Sequence, residues 1–222
     1  LPAELRTQDS AELLVEGAWA AMCEGDPELA KVIGEGGQAA FLADAHKLIA
    51  TYYTMENPTA FDADAVEEHV EIDADDMLMR GFIDRIDVAP TGEIRVVDYK
   101  TGRSPGEAYE AKALFQMKFY ALAILRTRGV VPARLQLMYL SDGQQLIYRP
   151  DRDELLRFER TLLAIWSAIE RAVSGHGGAL CILSGGAAPY IAPALKVAHK
   201  LVDNIVLVGL HAVALAAADK GD

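Results

Sequence analysis

Apolar residues recur along most of this chain in the two rhythms that mark helices and strands, and the changes between them outline an α/β domain. Asp9 or Ser10 can cap a helix that runs through Met22 and ends at Gly25, and Asp26-Pro27 starts a short second one. Gln38 to Thr54 reads as a third helix. The rhythm then shortens, predicting a strand over Val66 to Ile72 and a hairpin built from Gly81 to Ala89 and Glu93 to Lys100. Tyr109 to Arg128 carries strong helix formers with apolar Leu114, Phe115, Met117, Phe119, Leu122 and Ile124. Strands near Leu135 to Leu140 and Gln145 to Tyr148 join at Ser141-Asp142-Gly143. A long helix from Asp151 to Val173 follows, with Leu155, Phe158, Leu162, Ile165 and Trp166 on one stripe. The order predicts an α/β/α arrangement around a central mixed sheet.

The hairpin is the element whose register can be derived. Pro90, Thr91 and Gly92 suit a three-residue loop, with Pro at a type I turn position and Gly at the left-handed residue that follows. That loop pairs Ala89 with Glu93, Val88 with Ile94, Ile86 with Val96, Asp84 with Asp98 and Phe82 with Lys100, all on one face. The face is apolar until its far end, where the two acids and the lysine gather. The opposite face reads Asp87 with Arg95, Arg85 with Val97 and Ile83 with Tyr99, and is expected to be partly solvated with one opposite-charge pair. A four-residue loop would shift the register by one and scatter both patterns.

Two carboxylates roughly 5 Å apart on an apolar face repel each other unless a cation or a proton lies between them. A hard divalent ion such as Mg2+ suits oxygen ligands and keeps waters that can become nucleophiles. From Lys100 an ammonium can help deprotonate such a water or stabilise charge building on a phosphate. An ordinary diagonal ion pair between Asp84 and Lys100 accounts for the same residues. Gln116 and Tyr120 lie four apart and share a helical face, where they are also compatible with plain amphipathic residues.

Gly81-Phe82-Ile83-Asp84-Arg85, the run into Asp98-Tyr99-Lys100-Thr101-Gly102, and Gln116-x-x-x-Tyr120 on the next helix together resemble the RecB-type branch of the PD-(D/E)XK nuclease superfamily. The resemblance covers roughly Leu1 to Val173 and is strongest from Arg80 to Leu140. It implies a restriction-endonuclease-like core and a metal-dependent DNA nuclease of the exonuclease type, serving DNA repair or recombination. It implies that Asp84 and Asp98 bind Mg2+ or Mn2+, with the backbone carbonyl of Tyr99 as a third ligand, and that Lys100 is the catalytic lysine. Gln116 and Tyr120 would position the DNA backbone or the active-site water. Glu71 would be an additional metal or outer carboxylate, a role for which Glu67 and Glu68 compete. The implied partners are single-stranded DNA or duplex ends, and a helicase.

The chain departs from that pattern in two places. Relatives carry a Gly-x-x-x-His element upstream, whereas this sequence begins with Leu1-Pro2 near where that helix should end, and His46 and His69 lie in other contexts. An N-terminally truncated domain is therefore expected, and the alternative is a catalytically degenerate module that only binds DNA or a helicase. Many relatives also end in a cysteine cluster. Cys23 and Cys181 cannot supply the four thiolates of an iron-sulfur cluster, so none is expected here, and two isolated thiols fit a cytoplasmic protein.

From Ser174 onward the composition changes. Ala, Gly, Val and Leu dominate, Gly175, Gly177 and Gly178 punctuate the change, and a boundary is expected there, dividing residues 1–173 from an appendage of residues 174–222. Cys181 to Ala188 reads as a buried strand entering a Gly-rich turn, followed by a helix, a short strand near Lys200 to Val202 and a last apolar helix from Asn204 to Ala218. This βαβα-like appendage resembles the C-terminal end of a type III pantothenate kinase over fewer than 50 residues. A lone Ser-Gly-Gly turn is weak ground for nucleotide binding. At 51% apolar the chain can build a core, and no apolar run is long enough to span a membrane. The net charge of −12 argues against broad DNA affinity and falls wholly before residue 174, where Arg80, Arg85, Arg95, Lys100, Arg103, Lys112, Lys118, Arg126 and Arg128 nevertheless gather around the hairpin and its helix.

Overall fold

A computed structural model describes residues 1–33, 37–74, 77–106, 110–175, 181–183 and 199–202. Near the N-terminus, Thr7 rather than Asp9 or Ser10 caps the first helix, accepting a hydrogen bond from the Ser10 backbone N–H at 3.2 Å. That helix, α1 (Gln8–Glu12), is separated from α2 (Val15–Gly25) because Leu14 N–H bonds to the Ala11 carbonyl, a tighter turn than the α-helical one. The single helix expected through Met22 is therefore two. Asp26 caps α3 (Glu28–Ile33) through the Glu28 N–H, as its sequence predicts, and α4 spans Gly37–Met55.

The strands are β1 (Ala65–Ala74), β2 (Met77–Val88), β3 (Ile94–Lys100), β4 (Arg134–Tyr139) and β5 (Gln144–Tyr148), which form one sheet in that order. β2 and β3 are antiparallel, β3 and β4 parallel, and β4 and β5 antiparallel, so the sheet is mixed. Parallel neighbours need a crossover, and α5 (Glu110–Arg128) supplies it between β3 and β4. α6 (Arg152–Gly175) follows, its first turn capped by Asp151 Oδ1 on the Glu154 N–H at 2.9 Å. β6 (Cys181–Leu183) and β7 (His199–Leu201) pair in parallel. The turn expected at Ser184 to Ala188 and the helix expected at Asn204 to Ala218 lie outside the described residues. Among the described residues no helix is long and apolar enough to cross a membrane.

The hairpin has the register derived from its loop. Arg85 faces Val97, Ile86 faces Val96, Asp87 faces Arg95 and Val88 faces Ile94. The loop closes through Ala89 N–H to the Glu93 carbonyl and Gly92 N–H to the Ala89 carbonyl, with Gly92 at φ +88°. A Cβ at Gly92 would meet nothing within 4 Å, so a side chain there would suffer only from its backbone angles. Gly92→Ala is accordingly expected to lower stability by about 1–2 kcal/mol, read from the urea unfolding midpoint. An unchanged midpoint would mean that the loop does not need its left-handed residue.

Residue contacts divide the chain into two compact units. The first comprises Leu1–Glu68, Ile83–Ala121 and Val131–Pro150. Its core is built from strand residues on both sheet faces, such as Ile83, Ile86, Val96, Val97, Leu135 and Leu137, with Met117 and Ala121 of α5. The second comprises His69–Phe82, Leu122–Val130 and the chain from Asp151 onward. Here Leu155 and Leu162 of α6 are buried, whereas Ile165 is 52% exposed and does not complete the expected stripe. Within this unit Glu159 is buried and held by Arg126, and His69 packs on the Phe82 ring at 5.1 Å.

Candidate active site

The end of the hairpin away from its loop is where the ladder stops being a backbone affair. The antiparallel register runs as far as Arg85 and Val97. Beyond it, Asp84 Oδ2 accepts the Tyr99 backbone N–H at 2.7 Å, so a side chain takes the place of a strand carbonyl. This fixes the Asp84 carboxylate against β3 at the residue between Asp98 and Lys100. The expected convergence of the two acids on one end of the hairpin is thereby met through an unexpected bond.

Asp98 is 3% exposed, an unusual setting for a carboxylate. Its Oδ1 accepts from Gln116 Nε2 at 3.0 Å and from the Tyr120 hydroxyl at a longer 3.4 Å, and Gln116 Nε2 also reaches the Tyr120 oxygen at 3.0 Å. The four-residue spacing of Gln116 and Tyr120 on α5 is what lets both reach one oxygen. The other oxygen, Oδ2, lies 2.5 Å from Lys100 Nζ but accepts no aligned hydrogen bond. Charge, rather than a directed bond, holds that contact. Burial pushes the Asp98 carboxyl up, Lys100 offsets part of this, and the neighbouring Asp84 charge adds to the rise. Burial also pushes the Tyr120 hydroxyl up to about 12, so it remains a donor at neutral pH.

Glu71 is placed differently. It is exposed on β1 and ion-paired with Arg80 at 2.6 Å. Among the described residues no three His, Cys, Asp or Glu side chains gather as a metal-binding group. His46 bonds Glu16 at 3.1 Å, an ordinary surface contact.

The opposite face of the hairpin overturns its expected partial solvation. Arg85 is 5% exposed and is held by Glu56 Oε1 at 2.6 Å, by Asp87 and by the Tyr99 hydroxyl. Arg95 joins the same Glu56 oxygen at 3.0 Å and Asp87 Oδ2 at 2.7 Å. Both guanidiniums also lie over the Phe61 ring. Glu56 follows directly on α4 and Phe61 lies beyond the next turn, so the segment joining helix to strand covers this face and replaces water with charge. Burial alone would lower the Arg85 pKa, but Tyr99, Glu56 and Asp87 together raise it. Sequence reading identified the Asp87–Arg95 pair and missed Glu56, Phe61 and the burial of Arg85. The available signal was Arg85 itself, a charged residue between Ile83 and Ile86 in a strand otherwise destined for the core.

The donor set fits a hard divalent cation. Asp98 Oδ2 is a buried carboxylate oxygen without a hydrogen bond, the Asp84 carboxylate is fixed beside it in sequence register, and all donors are oxygen. Two carboxylates meet the usual protein share for Mg2+, whose remaining positions go to waters and phosphate oxygens.

Comparisons with known proteins place the chain among relatives. A solved structure from Eubacterium rectale, described as a candidate exonuclease, superposes with a TM-score of 0.52 at 14% identity, covering 75% of this chain and 66% of that one. At that identity it supports the fold alone. Shorter sequence matches join the chain to a type III pantothenate kinase of Herminiimonas arsenicoxydans, 55% identical over 60 residues, which are 24% of this chain and 23% of the kinase. The Gene 69 protein of Mycobacterium phage D29 is 47% identical over 66 residues, 30% of this chain and 22% of that protein. The chain thus spans less than a quarter of the length of either relative, and neither match carries an activity to it. The model of the PD-(D/E)XK nuclease superfamily matches residues 1–180, which include the hairpin, the Gln116–Tyr120 helix and every residue of the cluster, and the chain belongs to that superfamily.

Proposed function

We propose that this chain is a metal-dependent deoxyribonuclease of the RecB-like exonuclease type, hydrolysing phosphodiesters in DNA repair or recombination. The observation that carries the reading is the buried, hydrogen-bond-free Oδ2 of Asp98 beside Lys100, at the hairpin end that also holds Asp84. The Lys100 ammonium, 2.5 Å away, neutralises that oxygen here, and a divalent ion would take its place there. Asp84 and Asp98, with the Tyr99 carbonyl, would hold Mg2+ or Mn2+. When bound, such an ion would supply Lewis-acid polarisation of the phosphate and a water more easily deprotonated than bulk water.

The protein's own groups have separate tasks. Asp84 is locked by the Tyr99 N–H, so its second oxygen has a fixed direction. Gln116 and Tyr120 pin Asp98 Oδ1 and leave Oδ2 to Lys100 or to an ion that displaces it. Lys100, 34% exposed, can turn its ammonium from Asp98 to a phosphate oxygen as negative charge grows there. A helicase partner that contributes further pieces of the site is part of the same reading.

The test is a titration of the purified chain with Mn2+ by calorimetry, with single-stranded DNA cleavage measured in parallel. One site that disappears in Asp84→Asn and Asp98→Asn, with cutting abolished by EDTA, is the expected result. Metal binding that survives both changes would contradict it. Gln116→Ala should lower metal affinity or cleavage by about 10- to 100-fold, the usual cost of losing a group that orients a metal ligand. A Gln116→Ala protein that binds Mn2+ and cleaves at the wild-type level would remove Gln116 from the site.

A further inference from the structure

The chain is strongly acidic overall, yet the cleft that opens beside Lys100 is lined by cations. Lys100, Arg103, Lys112, Gln116 and Tyr139 form its wall, and no carboxylate of a described residue lines it. Arg103 and Lys112 are exposed, and neither makes an ion pair or hydrogen bond with another described residue. Tyr139 is only 7% exposed, and its hydroxyl has no hydrogen-bond partner among the described residues although the side chain faces the cleft. The hydroxyl oxygen itself reaches solvent at the cleft, so a phosphate oxygen can replace water as its partner.

The wall is also held in place. Ser104 bonds Asp142 Oδ2 through its backbone N–H at 3.0 Å and its hydroxyl at 2.8 Å, which ties the segment carrying Arg103 to the turn between β4 and β5. Ser104 and, more weakly, Arg103 hold the Asp142 carboxyl below its ordinary range. Lys112 stands one helical turn before Gln116 on α5 and so shares its face. The cleft of about 190 Å³ is smaller than the roughly 300 Å³ at which pockets begin to enclose whole organic ligands. It has room for a sugar and a phosphate of one strand.

We propose that this cleft seats a backbone phosphate of the substrate strand next to the one being cut, with Arg103, Lys112 and the Tyr139 hydroxyl as its binding groups. The assignment rests on the nuclease reading for the identity of the strand. Arg103 offers a planar fork that matches two phosphate oxygens, Lys112 a point charge, and Tyr139 a neutral donor from below. None of these contacts reads a base, so binding here is independent of sequence. A local cationic cleft in an acidic protein also confines the strand to one track, because the surrounding surface repels it.

Binding of a fluorescent 12-nucleotide single strand to the full chain in EDTA, followed by anisotropy across a salt series, tests this without any cleavage. The Arg103→Ala/Lys112→Ala protein should bind at least tenfold more weakly at low salt, and the slope of log affinity against log salt should shrink by about 0.7, the share of the one phosphate seated there. Arg103→Lys/Lys112→Arg should keep most of the affinity and slope. Lys31→Ala/Lys47→Ala, with the same change in net charge, should match wild type. Unchanged binding in the first variant, equal loss in the Lys31/Lys47 control, or no binding by wild type would each overturn the assignment. Cleavage in Mn2+ separates this from the nuclease reading. A wild-type chain that binds through the cleft but never cuts refutes the nuclease and leaves the cleft, whereas cutting with cleft variants that bind normally does the reverse.

Discussion

Asp98→Ala is expected to reduce DNA cleavage by about 10³-fold or more while leaving the protein at least as stable as wild type. The loss follows from removing the carboxylate that Lys100, Gln116 and Tyr120 all address. The stability follows from the cost of that carboxylate in the absence of metal. Burial has raised its pKa despite Lys100, which means that the ionised form is unfavourable where it sits. Replacing it by a methyl group removes a desolvated charge; Lys100 is a third exposed and can turn to water, and Gln116 and Tyr120 lose a shared acceptor but stay bonded to each other. A residue kept for structure would behave in the opposite way. Urea unfolding of both proteins in EDTA, beside their cleavage rates in Mn2+, reads the two quantities together. A large loss of stability with parallel loss of activity would assign Asp98 to the fold instead.

The second large effect lies on the other face of the same hairpin. Glu56→Ala should destabilise the protein by about 3–5 kcal/mol, the usual cost of breaking a buried ion pair by removing one partner. Glu56 Oε1 accepts from both Arg85 and Arg95, and its side chain is 8% exposed. Without it, the two guanidiniums share Asp87 alone, and Arg85 has no route to solvent. Glu56→Gln should fall between, because the amide oxygen still accepts one hydrogen bond but carries no charge. Chemical unfolding in urea at constant ionic strength measures this, with the slope of the transition checking that both variants unfold over the same surface. A change below about 1 kcal/mol would show that the network is replaceable by water, contrary to its burial.

The contrast between the two faces explains what was legible in the sequence. The register of β2 and β3 depends on loop length, and Pro90-Thr91-Gly92 states that length locally, so the positions of Asp84, Asp98 and Lys100 followed from residues a few places apart. The helix that brings Gln116 and Tyr120 together is equally local. Glu56 is different, since its bonds to Arg85 and Arg95 cross 29 and 39 residues of chain. No periodicity announces such a partner, and the alternation of this face read as half-solvated because charged residues usually are. The break between α1 and α2 was hidden for another reason. Leu13 and Leu14 continue an apolar pattern, and only the backbone shows that Leu14 bonds to Ala11. Ile165 marks the limit of stripe arguments, because a residue can keep the helical period and still find no neighbour to bury it.

The central claim is that the Asp84, Asp98 and Lys100 end of the hairpin cuts phosphodiesters with a bound divalent ion. Its most direct test is cleavage of end-labelled single-stranded DNA by the purified chain in Mg2+, Mn2+ or EDTA, beside Asp98→Ala and Lys100→Ala proteins shown to be folded. Cutting that requires metal and disappears in both variants is the predicted result. Cutting that persists in either variant, or none by the folded wild-type chain in either metal, would contradict it.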